Sequence, residues 1–350
     1  MNKDRNYTLE VLRIVCMCLI TIIHFFSYSD ILNSNLSNSF RVVFSILFAL
    51  SRCSVNIFFM ISGFFLCKKN FSFNRIIKVY SQMFFASILS LVVCILLNIK
   101  EIEFFDLLKT IMPLLTNHYW FISIYIIVVI FSPAINILIE NGGCERIRKW
   151  IFLCGGILTL FITFNPFIVG DTMIGGDHSL LWAMFCYFIG GCISKYGINI
   201  KHNKLIIVFL SALFTLALIK FYKLDTILSM YSFDFESNCS LLPFLMSISL
   251  FGLAVQRNER IGEKYDIPRK IVLVLAQVSL FVYLIQENEL FREYIWKDFN
   301  RTLNTQLVIY KLCKTIVFLY LGALLYGILY NIWKRFMLNI LKGLRKYEKN

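Results

Sequence analysis

Long apolar runs alternate with short polar intervals along this chain, and the runs share a characteristic length. Stretches nearly free of formal charge fall at about 11–28, 42–66, 79–98, 119–139, 151–169, 180–193, 205–222, 241–255, 271–286 and 308–333. Most approach the roughly 20 residues that a helix needs to cross a hydrocarbon core. A helix satisfies its own backbone polar groups where no water can, so lipid favours it over an open strand. The pattern predicts an all-α, polytopic integral membrane protein of about ten transmembrane helices. The sixth, eighth and ninth runs are short for the core, so their helices depend on neighbours. The first run carries Arg13, is long enough to span and lacks a small-residue cleavage site. It therefore reads as a span and not as a signal peptide.

Composition removes the soluble alternative. Apolar residues make up 58% of the 350 positions and charged residues only 16%, against about 25% charge in ordinary soluble chains. The formal charge of +14 would suit nucleic acid, but the basic residues sit in short loops and not on one face of a compact domain. They fall instead in alternate loops. With the N-terminus placed in the cytoplasm, inside segments outnumber outside ones in Lys and Arg by roughly two to one, which predicts cytoplasmic termini. No interval is long enough for a soluble domain, so residues 1–350 read as one transmembrane domain. The external segments 99–118 and 287–307 mix apolar and charged residues as amphipathic surface helices do. Asp177 and His178, beside Gly175 and Gly176, read as an external turn. The eleven cysteines lie mostly within apolar runs and read as small buried hydrophobes. No cysteine or histidine spacing suggests a metal site.

Ionisable side chains inside spans are costly, which makes each a functional candidate. Arg13 and His24 stand eleven residues apart, close to three turns, so they share a helix face about 16 Å apart along the axis. Glu10 precedes Arg13 by three residues and can pair with it. Two readings stay open: Arg13 snorkels to the headgroups while His24 bonds within the bundle, or both belong to a site. Arg52 reads as lying near mid-bilayer in a continuous helix, where it needs an anionic partner or a wet cavity. Ser62-Gly63 falls level with Arg13.

These residues resemble a known family, the membrane-bound acyltransferase-3 proteins. Leu9-Glu10-Val11-Leu12-Arg13 with His24 is similar to the family's Leu-Asp-x-Leu-Arg opening and its Arg-x10-His motif, Glu10 replacing Asp. Ser51-Arg52 and Phe58-Phe59-Met60-Ile61-Ser62-Gly63-Phe64 resemble the segment that follows. Arg75-Ile76-Ile77-Lys78, Tyr119-Trp120-Phe121-Ile122 with Ser132-Pro133, and Tyr187-Phe188-Ile189-Gly190-Gly191 continue the order. Tyr283-Leu284-Ile285-Gln286 resembles a Tyr-Leu-Ile-His stretch, with Gln286 in place of the frequent histidine.

The resemblance implies transfer of an acyl group, commonly acetyl, from cytoplasmic acyl-CoA to a hydroxyl of a surface or exported glycan. It implies no permanently bound cofactor and a multi-pass protein of a bacterial cell membrane. Its catalytic residues would be His24, Arg52 and Glu10, with His24 as general base and Arg52 facing the thioester oxyanion or an anionic part of a substrate. An acyl-histidine intermediate is the variant. Acyl-CoA would be held by Arg13, Ser62, Lys68, Lys69, Arg75 and Lys78; positive-inside bias alone also explains the four loop cations. Trp120 and Glu287 fall on the acceptor side, where an interfacial belt and a helix end are the plainer readings. A transporter or flippase for lipid-linked glycans or small metabolites is the main rival, although no paired halves with broken helices are evident.

Overall fold

In the computed structural model the described residues are 6–29, 31, 37–141, 145–164, 179–230, 233–257, 266–296 and 305–347, and every regular element among them is a helix. In chain order these are α1 (Tyr7–Tyr28), α2 (Asn38–Ser51), α3 (Ser54–Leu66), α4 (Phe73–Leu96), α5 (Phe104–Ile111), α6 (Trp120–Asn141) and α7 (Glu145–Phe164). There follow α8 (Leu180–Tyr196), α9 (His202–Phe221), α10 (Leu224–Met230), α11 (Leu241–Gln256), α12 (Asp266–Glu287), α13 (Glu289–Trp296) and α14 (Thr305–Tyr347). Over their described residues the ten apolar runs fall on helices, the run 42–66 on two of them. Among the described residues seven segments are long and apolar enough to cross a membrane, with α2 and α3 counted together as Asn38–Leu66. The remaining apolar helices, Phe152–Phe164, α8 and α11, are shorter. The turn read at Asp177 and His178 lies outside the described residues.

Local sequence explains where the main helices begin and break. The Asn6 side chain caps α1 by accepting the Leu9 amide at 3.2 Å, and Ser179 does the same for Trp182 in α8 at 3.3 Å. Such caps satisfy amides that the first helical turn cannot. The run 42–66, expected as one helix, is two. Ser51, Cys53 and Ser54 turn their side chains back onto the carbonyls of Phe48, Leu50 and Ser51, a habit that bends helices. At the break the Cys53 carbonyl accepts both the Ile57 amide at 3.3 Å and the Ser247 hydroxyl at 3.1 Å.

A loop from α10 to α11 reaches this break. Ser237, Asn238, Cys239 and Ser240 are buried, so the irregular backbone here is enclosed by protein and its polar groups need protein partners. Asp234 Oδ1 accepts the amides of Glu236 and Ser237, each at 2.9 Å. Thr163 of α7 holds the loop's far end through the Leu241 amide at 2.9 Å. Asn56 then donates to the Asn238 carbonyl at 2.7 Å and accepts from Trp182 Nε1 at 2.9 Å.

Small residues let α3 and α8 meet backbone to backbone. A Cβ added at Gly63 would lie 1.8 Å from the Tyr187 carbonyl oxygen, and one at Gly190 would lie 1.9 Å from that of Met60. This is the close approach that glycines permit between membrane helices.

The two segments expected to be external differ in what they bury. α5 exposes Phe104 and Phe105, 70% and 69% accessible, and buries Asp106 and Thr110 beneath them. That orientation suits lipid. α13 instead turns Leu290, Phe291 and Trp296 inward, so the expected surface helix packs its apolar face on the bundle.

Candidate functional site

Four side chains of α1 form one stripe. Arg13, Met17, Ile20 and His24 follow at spacings of four, three and four, which keeps them on a single face. Tyr283, Gln286 and Glu287 form a matching stripe on α12, which packs against α1. The two stripes meet at His24. Its Nε2 lies 3.1 Å from Glu287 Oε2, with both side chains buried. The atoms are close but not aligned as a hydrogen bond, and His24 Nδ1 has no partner among the described residues.

Beyond this pair the structure becomes polar. The Tyr28 ring lies 5.7 Å from that of His24, and its hydroxyl accepts from Arg292 Nη1 at 3.4 Å. The same guanidinium lies 4.9 Å from the Tyr28 ring centre. Nearby, Lys109 Nζ meets Glu289 Oε2 at 2.5 Å. Burial works to raise the Glu289 pKa, but the Lys109 ammonium outweighs it and holds the carboxyl below its usual range. His118, just before α6, is buried, and burial pushes its pKa down to about 4.

On the other side of His24 a cavity of about 770 Å³ runs beside α1. Arg13, Lys78 and Lys334 line its charged end, and Met17, Phe58 and Phe121 line its apolar part. Ser81 of α4 and Tyr330 of α14 touch at 2.7 Å, which brings the turns carrying Lys78 and Lys334 together. Ile20 and Tyr283 belong to the wall, and each stands one turn before His24 and Glu287. The cavity thus extends from a cluster of cations to within a helical turn of a buried His–Glu pair. Cations suit phosphate groups, an apolar shaft suits an alkyl arm, and a buried imidazole beside a carboxylate suits proton transfer.

The acyltransferase-3 family model (Acyl_transf_3, acyltransferase domain) matches residues 6–338. The chain belongs to the acyltransferase-3 family. Comparison with curated proteins and with solved structures finds no match. Membership makes this a membrane acyltransferase and sets aside the transporter reading.

The acyltransferase brings together some of the residues singled out in its sequence and separates others. Glu10, buried in the first turn of α1, accepts from Arg13 Nη1 at 2.6 Å. Arg13, Ser62 and Lys78 line the cavity. Lys68, Lys69 and Arg75 do not belong to its wall; the Lys68 ammonium caps the Ser194 carbonyl of α8 at 2.8 Å instead. Trp120 is half-buried at the start of α6, beside the cavity residue Phe121. Glu287 is the partner of His24.

Arg52 sits elsewhere. It is the C-terminal cap of α2 and not a mid-helix residue, because the helix breaks there. Its Nε donates to the Glu236 carbonyl, and its guanidinium lies 5.7 Å from the Phe48 ring centre. Lys220 bridges Asp225 and Glu236 alongside, at 2.9 Å each. Burial raises the Glu236 pKa, and the Lys220 charge opposes that rise.

Sequence reasoning missed Lys334, Asn331, Gln82 and Gln277, all in the cavity wall. Lys334 was legible only as part of a basic tail. The signal was the spacing of Gly327, Asn331 and Lys334 at four and three residues, which puts a small and two polar residues on one face where the apolar run of α14 ends.

Proposed function

We propose that this acyltransferase moves a short acyl group, acetyl in the first instance, from acyl-CoA on the cytoplasmic side to a hydroxyl of a surface or exported glycan. The observation that carries the reading is the cavity that joins Arg13, Lys78 and Lys334 to the neighbourhood of His24. The cations hold the CoA phosphates through charge-assisted hydrogen bonds, with Glu10 fixing the Arg13 guanidinium. The pantetheine arm lies along Met17, Ile20 and Phe58, which directs the thioester toward His24.

The acceptor hydroxyl arrives from the opposite end, past Tyr28 and Arg292. His24 removes its proton as the oxygen attacks the thioester carbon. Glu287 orients the imidazole and stabilises its charged form as the proton arrives, a pairing that leaves the carboxylate unprotonated in the manner of other His–carboxylate dyads. General-base catalysis of this kind contributes about 10² to 10⁴ in rate. Arg52 takes a different part from the oxyanion role that its motif suggested. Its contacts support a structural duty, holding the 233–240 loop against the α2–α3 break.

Purified protein in liposomes, given labelled acetyl-CoA and an acceptor glycan, tests the reading. The expected result is label ester-linked to the glycan. Folded, monodisperse protein that neither transfers nor hydrolyses any short acyl-CoA would refute it.

A further inference from the structure

Gln286 has no part in the scheme so far, yet its environment is unusual. The side chain is fully buried on the face of α12 that carries Tyr283 and Glu287. Its Oε1 has no hydrogen-bond partner among the described residues. The contact of its amide nitrogen is with the Met17 sulfur, at 3.8 Å, and a thioether is a weak acceptor. A buried carboxamide left in this condition is destabilising, so its retention calls for an explanation other than packing.

Its position supplies one. Met17 belongs to the wall of the cavity and Glu287, the next residue, touches His24. The Gln286 amide therefore touches a residue of the cavity wall, and its neighbour in sequence touches the imidazole. Tyr283, three residues earlier on the same face, also lines the cavity, and its hydroxyl oxygen accepts the Phe121 amide at 3.3 Å. That bond orients the phenol and leaves its own proton free to donate.

We propose that Gln286 is a catalytic residue whose amide N–H binds the carbonyl oxygen of the acyl thioester, with the Tyr283 hydroxyl as a second donor. The inference rests on the acyl-CoA reading of the cavity. In the step it serves, the acceptor oxygen forms a bond to the thioester carbon while its proton passes to His24. The carbonyl π pair moves onto oxygen, where the Gln286 N–H and Tyr283 O–H hold it. The pair then returns, the C–S bond breaks, and the CoA sulfur leaves with the proton from His24. The products are the ester and free CoA thiol, with no oxidant or further reactant. The donors act on charge that exists only in the transition state, so their loss falls on turnover and not on donor affinity.

Gln286→Leu separates this from a structural duty. Leucine keeps much of the volume and removes an unsatisfied amide, so the variant should melt no lower than wild type. Its kcat should fall about 10²- to 10³-fold, the usual cost of one oxyanion donor, with donor KM within twofold. Gln286→His, which keeps an N–H, should recover part of the loss, and Tyr283→Phe should lower kcat with little change in KM. A Gln286→Leu enzyme with wild-type kcat overturns the inference alone and leaves the acyl-CoA reading standing. A lowered melting temperature in Gln286→Leu, with kcat per folded molecule unchanged, assigns the residue to packing and also overturns it. Wild-type protein inert toward every acyl-CoA overturns both readings.

Discussion

Gly190→Ala is the most direct test of the packing that holds the site together. The new Cβ would lie 1.9 Å from the Met60 carbonyl oxygen, 2.6 Å from its carbon and 2.7 Å from its Cα. Ordinary van der Waals contact begins near 3.4 Å, so α3 and α8 must part by roughly 1.5 Å on this line. No rotamer can absorb the clash, because the opposing atoms are main chain. Overpacking a core costs about 1–3 kcal/mol where side chains can adjust; here the cost should reach or pass the upper figure. On the large-domain scale of about 2 °C per kcal/mol, the melting temperature falls by about 6 °C or more. Gly156→Ala is the control, since an added Cβ there meets nothing within 4 Å, and it should be neutral or slightly stabilising. Melting in detergent, read by the loss of a monodisperse peak after heating, compares the two. Because α3 carries Phe58 and Ser62 in the cavity wall, the Gly190 variant should also lose acyl transfer below its melting point. A Gly190→Ala protein that melts within a degree of wild type would show that the helices do not approach this closely.

Four further outcomes are expected. His24→Ala should insert and remain monodisperse while its transfer rate falls about 10² to 10⁴-fold, measured with labelled donor; near-normal turnover removes the base assignment. Arg13→Ala should raise the KM for acetyl-CoA about ten- to a hundredfold, the equivalent of losing a charge-assisted contact of roughly 1.5–3 kcal/mol, and an unchanged KM rejects the cationic end of the cavity as the CoA site. Arg52→Ala should lower the melting temperature and the yield but leave kcat per folded molecule nearly intact; a selective loss of kcat would return Arg52 to the chemistry. Burial holds the His118 pKa near 4, below the ordinary value of 6.5, so its stabilising contribution is complete above pH 6.5 and is lost as pH falls toward 4. The difference corresponds to about 3 kcal/mol. Wild type should therefore lose more apparent stability than His118→Leu between pH 7 and pH 4, and parallel melting curves would count against it.

Most of the fold was legible because apolar run length reports membrane helices directly. Over their described residues the ten runs fall on helices, and the stripe from Arg13 to His24 follows from residue spacing alone. The break at Ser51–Ser54 was not legible, because nothing in that short polar step announces that a loop almost two hundred residues later will satisfy it. That Arg52 caps a helix at this break, and does not sit inside a continuous one, was hidden for the same reason. Glu287 looked like a helix end until the fold brought it to His24, since pairing between the first helix and the twelfth leaves no local trace. Four basic residues near α4 looked equivalent in sequence, yet only Lys78 reaches the cavity wall. Which cation faces inward is set by helix rotation, and charge counting does not see it.

The α2–α3 break also constrains how the chain is made. Arg52, Cys53 and Asn56 find their partners in Glu236, Ser247 and Asn238, separated by 184, 194 and 182 residues respectively. A ribosome delivers the early segment long before the later one, at about 5–20 residues per second, so a nascent α2–α3 segment waits on the order of ten seconds or more for its complement. During that interval the Arg52 guanidinium and the Asn56 carboxamide lack the groups that later satisfy them, a state costly enough to favour chaperone capture or a straightened helix. Chains truncated before about residue 234 should thus be handled as unfinished by the membrane's quality control, however well their first spans insert. His24 waits longer, because its carboxylate partner Glu287 is made later still. The proposed reaction centre is therefore complete only when nearly the whole protein is in place.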